Sequence, residues 1–248
     1  MPSFPIFEFI EIETTNTCNR KCTFCKFGLE IEKTPAKRMS WQIIDKIIEE
    51  LYNLKYNGVL AWYSLNEPLL DKRITQIIQK SKYKLPQATL ALVTNGDLLD
   101  ETIANNLFNS GLDILRISVY DDDAFEKAQN LIKIFPQIDY FEMRNPQRIS
   151  NRGGAIPNMV RDQKLLNQNC LHPSKNMVID VTGKLKLCCD DLFSSVMPSN
   201  YSLTNYSLTE LWNSEFINTY RDELKKNGRA NLDLCKNCNF DSSIRWPE

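Results

Sequence analysis

Apolar positions along residues 1–143 alternate between two periods. The nearly continuous run Ile6, Phe7, Phe9, Ile10 and Ile12 predicts a strand over Phe7–Thr14. A stripe at helical spacing follows, Trp41, Ile44, Ile47, Ile48 and Leu51, with Ser40 as its N-cap and Asn57-Gly58 as its stop. Val59–Ser64 predicts a second strand, and Ile74, Ile77 and Ile78 a second helix. Thr89–Thr94 predicts a third strand, closed by the turn Asn95-Gly96. Asp100 caps a helix through Ile103, Leu107 and Phe108 that ends at Gly111. Ile114–Val119 predicts a fourth strand. Phe125, Ala128, Leu131, Ile132 and Phe135 mark a fourth helix, closed by Pro136, and Ile138–Met143 predicts a fifth strand.

Strands that alternate with helices pair in parallel through right-handed crossovers. The expected class is α/β, a truncated open (β/α) barrel of about five parallel strands and four helices. Residues 1–150 would form it. Residues 151–169 are polar, carry Gly153-Gly154 and read as a connecting loop. The texture changes over 170–248. Met177–Val181, the turn Thr182-Gly183 and Lys184–Leu187 predict a β-hairpin. Leu208–Trp212 and Glu215–Lys226 predict helices, the second capped by Ser214 and stopped by Gly228. The two parts are expected to share an interface.

Composition narrows the function. The chain has 248 residues, 42% hydrophobic and 25% charged, as in globular proteins, with a formal net charge of -1. That charge gives no drive toward nucleic acid or an anionic membrane. No run approaches the ~18 apolar residues of a membrane span. Met1-Pro2-Ser3-Phe4-Pro5 lacks a basic region before an apolar core, so no secretory signal is read and a cytoplasmic location is expected. Eight cysteines stand against one histidine, His172. In a cytoplasmic chain this long, clustered cysteine points to metal or redox chemistry rather than a disulfide scaffold. All-thiolate ligation suits iron–sulfur clusters or structural zinc.

Cys18, Cys22 and Cys25 form Cys-x3-Cys-x2-Cys just after the first strand, where parallel barrels assemble their sites. Three thiolates can hold three irons of a 4Fe–4S cube and leave the fourth iron open to a ligand's amino and carboxylate groups. A zinc site completed by a fourth cysteine is the alternative. Cys170, Cys188 and the pair Cys235-x2-Cys238 make a second set, which Gly183 can gather by turning the hairpin back. Four thiolates close a cluster without an open iron, and they would equally close a zinc site, as in a zinc-stabilised interaction protein. Cys189 would point away from that set and is read as a buried thiol.

The triad resembles the radical S-adenosylmethionine (SAM) superfamily. The resemblance implies that Phe24 lies near the adenine and that Asn66-Glu67-Pro68 stands where the family carries Gly-Gly-Glu-Pro beside the SAM amino group. Leu65 and Asn66 replace both glycines. Ser118 matches the polar position that meets the ribose, and Thr94-Asn95 sits at the mouth of the third strand. The C-terminal half resembles the twitch subdomain, a shortened relative of the SPASM extension, and Ser207-Leu208-Thr209-Glu210-Leu211-Trp212-Asn213 resembles its linker. Ten residues follow Cys238 without another cysteine, so one auxiliary cluster is expected. The implied cofactors are SAM and two 4Fe–4S clusters, served by a flavodoxin- or ferredoxin-type electron donor. The implied chemistry is cleavage of SAM to a 5′-deoxyadenosyl radical, hydrogen-atom abstraction and oxidative modification. Asn151-Arg152-Gly153-Gly154 and Asp233-Leu234-Cys235-Lys236-Asn237-Cys238 resemble motifs of aminocyclitol dehydrogenases within that superfamily. There the counterpart of Arg152 lies near a substrate hydroxyl, and the counterpart of Asp190 helps to bind an amine. Two substrate classes follow. The first, ranked ahead on how common such clients are, is a ribosomally made precursor peptide, with a separate recognition protein or direct leader binding. The second is an aminocyclitol or similar small polar molecule.

Overall fold

The computed structural model describes residues 6–25, 35–144, 149–156, 159, 163–192 and 194–240. The Met1–Pro5 stretch read for a secretory signal lies outside them. Strand β1 (Phe9–Ile12) is followed by α1 (Trp41–Asn53), β2 (Val59–Ala61), α2 (Ile74–Lys84), β3 (Thr89–Thr94), α3 (Glu101–Asn109), β4 (Ile114–Val119), α4 (Asp122–Ile134) and β5 (Ile138–Glu142). The chain then forms α5 (His172–Lys175), β6 (Asn176–Ile179), β7 (Leu185–Lys186), α6 (Leu208–Trp212) and α7 (Glu215–Asn227). All the strands join one open sheet in the order β5-β4-β3-β2-β1-β6-β7. Every pairing is parallel except β6 with β7.

The predicted hairpin is therefore part of the barrel sheet. Its first strand pairs with β1 in parallel, Phe9 opposite Asn176 and Ile12 opposite Ile179. Its turn is held by Asp180, whose Oδ1 accepts from Thr182 N, Thr182 Oγ1 and Lys184 N.

Helix capping follows the sequence at Ser40 and Asp100, whose side chains accept from Ile43 and Ile103 N–H groups, and Asp121, which the sequence reading did not single out, accepts likewise from Ala124 N. α1 lays Ile44, Ile47, Ile48 and Leu51 into the core, each contributing on the order of 1.5–3 kcal/mol when fully buried. Trp62 is also fully buried, and its indole N–H donates to Ser81 Oγ at 3.0 Å.

Two terminators differ from the sequence reading. α1 ends at Asn53, and Lys55 makes the left-handed turn at φ 51. Gly58 does not stop the helix; a Cβ there would lie 2.4 Å from Glu8 O, so it is close packing that requires glycine. Ser214 has the extended backbone of a cap, but its Oγ donates to Leu211 O instead of accepting from the helix. β1 is shorter than Phe7–Thr14 because Thr14 O turns out of the sheet to accept from Met39 N. β2 stops before Ser64, whose N–H is taken by Asn66 Oδ1. Among the described residues no helix is long and apolar enough to cross a membrane.

Candidate active site

The C-terminal ends of β1 to β5 open onto one cavity of about 300 Å³. Cys18, Cys22, Cys25, Phe24, Asn66, Glu67, Thr94, Asn95, Ser118, Arg152 and Asp190 all line it. Pro68 does not. It is buried in the short helical turn Pro68–Leu70, where Glu67 accepts from Leu69 N. Cys170, Cys188, Cys235 and Cys238 line an adjoining small cavity. Cys189 borders both.

The triad loop is fastened by charge. The Arg20 guanidinium binds Asp97 and, at 3.0 Å, Asp121, and lies 4.9 Å from the Tyr120 ring centre. Phe24 stacks on the same Tyr120 ring, with centroids 5.9 Å apart. Arg20 N donates to Cys18 Sγ at 3.4 Å, and Asn95 Nδ2 reaches the same sulfur at 3.8 Å. Burial pushes the Cys18 thiol up to about 11 and raises Cys22. Their thiolates therefore need a bound cation.

Glu67 is spent inside the protein. Its carboxylate accepts from Thr94 Oγ1 at 2.7 Å, Asn95 N at 2.8 Å and Leu69 N at 3.0 Å, and burial raises its pKa. It ties the loop after β2 to the end of β3. Asn66 is different: its Oδ1 is used by Ser64 N, but its buried Nδ2 has no protein partner among the described residues. A donor stranded at the cavity wall suits a polar ligand.

Arg152 and Asp190, assigned separate tasks by sequence, are bonded to each other. Arg152 NH1 donates to Asp190 Oδ1 at 3.0 Å, and Ser150 Oγ donates to the same oxygen at 2.7 Å. Burial is the largest single influence and works against the guanidinium charge, but Asp190, Cys189 and Cys25 together raise its pKa above the usual value. Arg152 sits at φ 51, followed by Gly153 at 63 and Gly154 at 89. Three consecutive left-handed residues aim the side chain inward and store backbone strain at the cavity. A Cβ on Gly153 would meet Leu234 at 2.3 Å, and one on Gly154 would meet Asn237 at 2.8 Å. Asn151 completes the dock, with Nδ2 on Asn237 O and Oδ1 accepting from Asn239 N.

Sequence reasoning missed Glu11. It is buried at the end of β1, lines the cavity and accepts from Ser64 Oγ. Desolvation raises its pKa to about 7, against the pull of Ser64, Lys186 and Arg152. The available signal was an acid inside an apolar strand.

Three thiols of the second set, and Cys189 beside them, are also desolvated. Burial pushes Cys235 and Cys238 up to about 12 and Cys188 and Cys189 well above the usual thiol range. Phe240 N donates to Cys238 Sγ at 3.4 Å. Cys18, Cys22 and Cys25 together border the large cavity, and Cys170, Cys188, Cys235 and Cys238 together border the small one.

The chain matches the Radical SAM superfamily over residues 12–138 and the SPASM iron–sulfur cluster-binding domain over 170–239. It is 26% identical over 245 residues to the S-adenosyl-L-methionine-dependent 2-deoxy-scyllo-inosamine dehydrogenase of Niallia circulans, covering 94% of this chain and 93% of that protein. It is 25% identical over 168 residues to the PqqA peptide cyclase of Granulibacter bethesdensis, covering 67% of this chain and 38% of that protein. The fold superposes on the crystal structure of BtrN in complex with AdoMet and 2-DOIA with a TM-score of 0.85 at 25% identity, covering 96% and 95% of the two chains. With its cysteines gathered around two adjoining cavities, this chain belongs to the radical SAM superfamily, as an oxidoreductase whose cofactors are SAM and two 4Fe–4S clusters.

Proposed function

We propose that this protein dehydrogenates a hydroxyl group of an aminocyclitol- or aminosugar-type small molecule. The observation that carries this reading is the charged wall of the cavity: Arg152 paired with Asp190, and Glu11, facing the space beside the Cys18–Cys25 loop. Two acids suit a substrate ammonium, and a planar guanidinium suits a hydroxyl. The near full-length similarity to the 2-deoxy-scyllo-inosamine dehydrogenase supports it. The precursor peptide ranked first from sequence gives way to this alternative, because the peptide cyclase relative aligns over only 38% of its own length.

Cys18, Cys22 and Cys25 would hold the SAM-binding cluster, and Cys170, Cys188, Cys235 and Cys238 the auxiliary one. When bound, these groups supply hydrogen-atom abstraction and an electron sink. Oxidation of a secondary alcohol to a ketone releases a hydrogen atom, a proton and an electron. The chain's own residues orient the alcohol: Asp190 is held by Ser150 and Arg152, and Asn66 Nδ2 offers a donor to SAM. A flavodoxin- or ferredoxin-type donor would reduce the first cluster.

The test is anaerobic reconstitution followed by assay on 2-deoxy-scyllo-inosamine, related aminocyclitols and short peptides. Ketone formation from an aminocyclitol, with about eight irons per chain, is the expected result. Changing Cys18, Cys22 and Cys25 together to Ala should leave about half the iron and no 5′-deoxyadenosine. Peptide oxidation without aminocyclitol turnover would overturn the substrate class.

A further inference from the structure

A buried arginine lines the adjoining cavity and serves neither ligation nor substrate binding. Arg229 is only 1% exposed and lines that cavity with Cys170, Cys188, Cys235 and Cys238. Burying a guanidinium this deeply is costly unless something nearby uses its charge. The chain is shaped to put it there. Gly228 turns at φ 70, and a Cβ at that position would lie 2.5 Å from Leu166 O, the carbonyl that accepts from Arg229 N at 2.7 Å. Arg229 NH1 donates to Phe240 O at 2.6 Å. Phe240 in turn sends its own N–H to Cys238 Sγ at 3.4 Å. One side chain thus brings a positive charge to the thiol cage and fixes the residue that donates to one of its sulfurs. Of the acids beside the cage, Asp190 accepts from Ser150 and Arg152 at Oδ1 and stands 3.8 Å from Cys238 Sγ at Oδ2, and Asp191 accepts from Ser195 and Val196.

We propose that Arg229 is a positioning residue that tunes the auxiliary cluster, raising its reduction potential so that it accepts an electron from the oxidising substrate. Net charge and hydrogen bonds to the sulfurs are the levers that set such potentials. A nearby positive charge stabilises the reduced, more negative state. The inference rests on the four cysteines being that cluster's ligands.

The experiment is an EPR-monitored potentiometric titration, without substrate, of full-length protein in which Cys18, Cys22 and Cys25 are Ala. That parent should hold about four irons. Arg229→Gln keeps a donor for Phe240 O and removes the charge. It should lower the midpoint, cutting the reduced-to-oxidised ratio at a fixed potential about tenfold, or ~59 mV for one electron. Arg229→Lys keeps the charge and should stay nearer the parent. A Gln variant with full iron and an unchanged midpoint overturns the proposal. If the Gln variant loses its iron, the Lys variant decides. Full loading at the parent midpoint supports the charge, and equal loss of iron shows a purely structural arginine. A parent without iron overturns the ligand assignment, and this inference with it.

Discussion

Arg152→Lys separates substrate positioning from folding. The side chain is one-fifth exposed, its partner Asp190 is 5% exposed, and they are joined by a 3.0 Å bond. Lysine keeps the positive charge beside Asp190 but presents a single point of donation where arginine presents a planar fork. The substitution therefore removes one charge-assisted hydrogen bond to a substrate hydroxyl, worth about 1.5–3 kcal/mol. At ~1.36 kcal/mol per decade, turnover should fall roughly 10- to 150-fold. A substrate displaced by about 1 Å gives a loss of similar size, on the order of 100-fold. Iron content and 5′-deoxyadenosine formation without product should persist, because the triad loop is held by Arg20 and not by Arg152. Arg152→Ala should do more, since it leaves Asp190 buried without its cation; breaking such a pair costs about 3–5 kcal/mol, less here because Arg152 is partly wet. The assay is anaerobic product and 5′-deoxyadenosine quantitation by mass spectrometry, with iron analysis. Near-normal product from Arg152→Lys would return the residue to a loop-structure role.

Gly153→Ala should destabilise the fold by about 2–4 kcal/mol, from left-handed backbone strain and overlap with Leu234. A second change, Leu234→Ala, should recover part of the loss in a denaturant titration, and no recovery would show that the overlap is not the cause. Glu67→Gln should cost about 1–3 kcal/mol, because an amide cannot accept from all three of Thr94, Asn95 and Leu69; chemical denaturation reads it, and an unchanged midpoint would refute it. Glu11 makes stability pH-dependent. An acid whose folded pKa is raised contributes stability that is complete below its unfolded value, here 4.5, and lost as pH rises through about 7. Wild type should lose roughly 3 kcal/mol relative to Glu11→Gln between about pH 4.5 and 7.5, and parallel stability curves would exclude it.

Local signals were legible wherever one residue decided the outcome. Thr89–Thr94, Ile114–Val119 and Leu208–Trp212 match the structure residue for residue, since each is bounded by a turn glycine or a cap. Gly58 was misread because a glycine kept for the approach of Glu8 O looks the same in sequence as one kept for a left-handed turn. The pairing of β6 with β1 was not legible, as periodicity reports which face is buried and not which strand lies alongside. At the site, cysteine spacing was informative: each regularly spaced set borders one cavity. The Arg152–Asp190 bond, spanning 38 positions, left no local trace, and Glu11 was absorbed into an apolar strand.

Under the proposed function, that long-range geometry is what would couple the two clusters. β6 leads from the α5 turn beside Cys170 and pairs along β1, whose end carries Glu11 and leads to the triad loop. The Asn151–Gly154 turn is fitted against the Cys235–Cys238 turn at two glycines, and Asn151 bonds to Asn237 and Asn239. Arg152 reaches from that turn to Asp190, two residues past Cys188. Arg152, Asp190 and the thiols of the small cavity thus hang from the same short segments. A displacement of either turn would move both together, so under the proposed function hydrogen abstraction and electron removal would keep a fixed spacing. A separate subdomain on a flexible linker would allow SAM cleavage while losing the electron's destination; sharing one sheet removes that freedom.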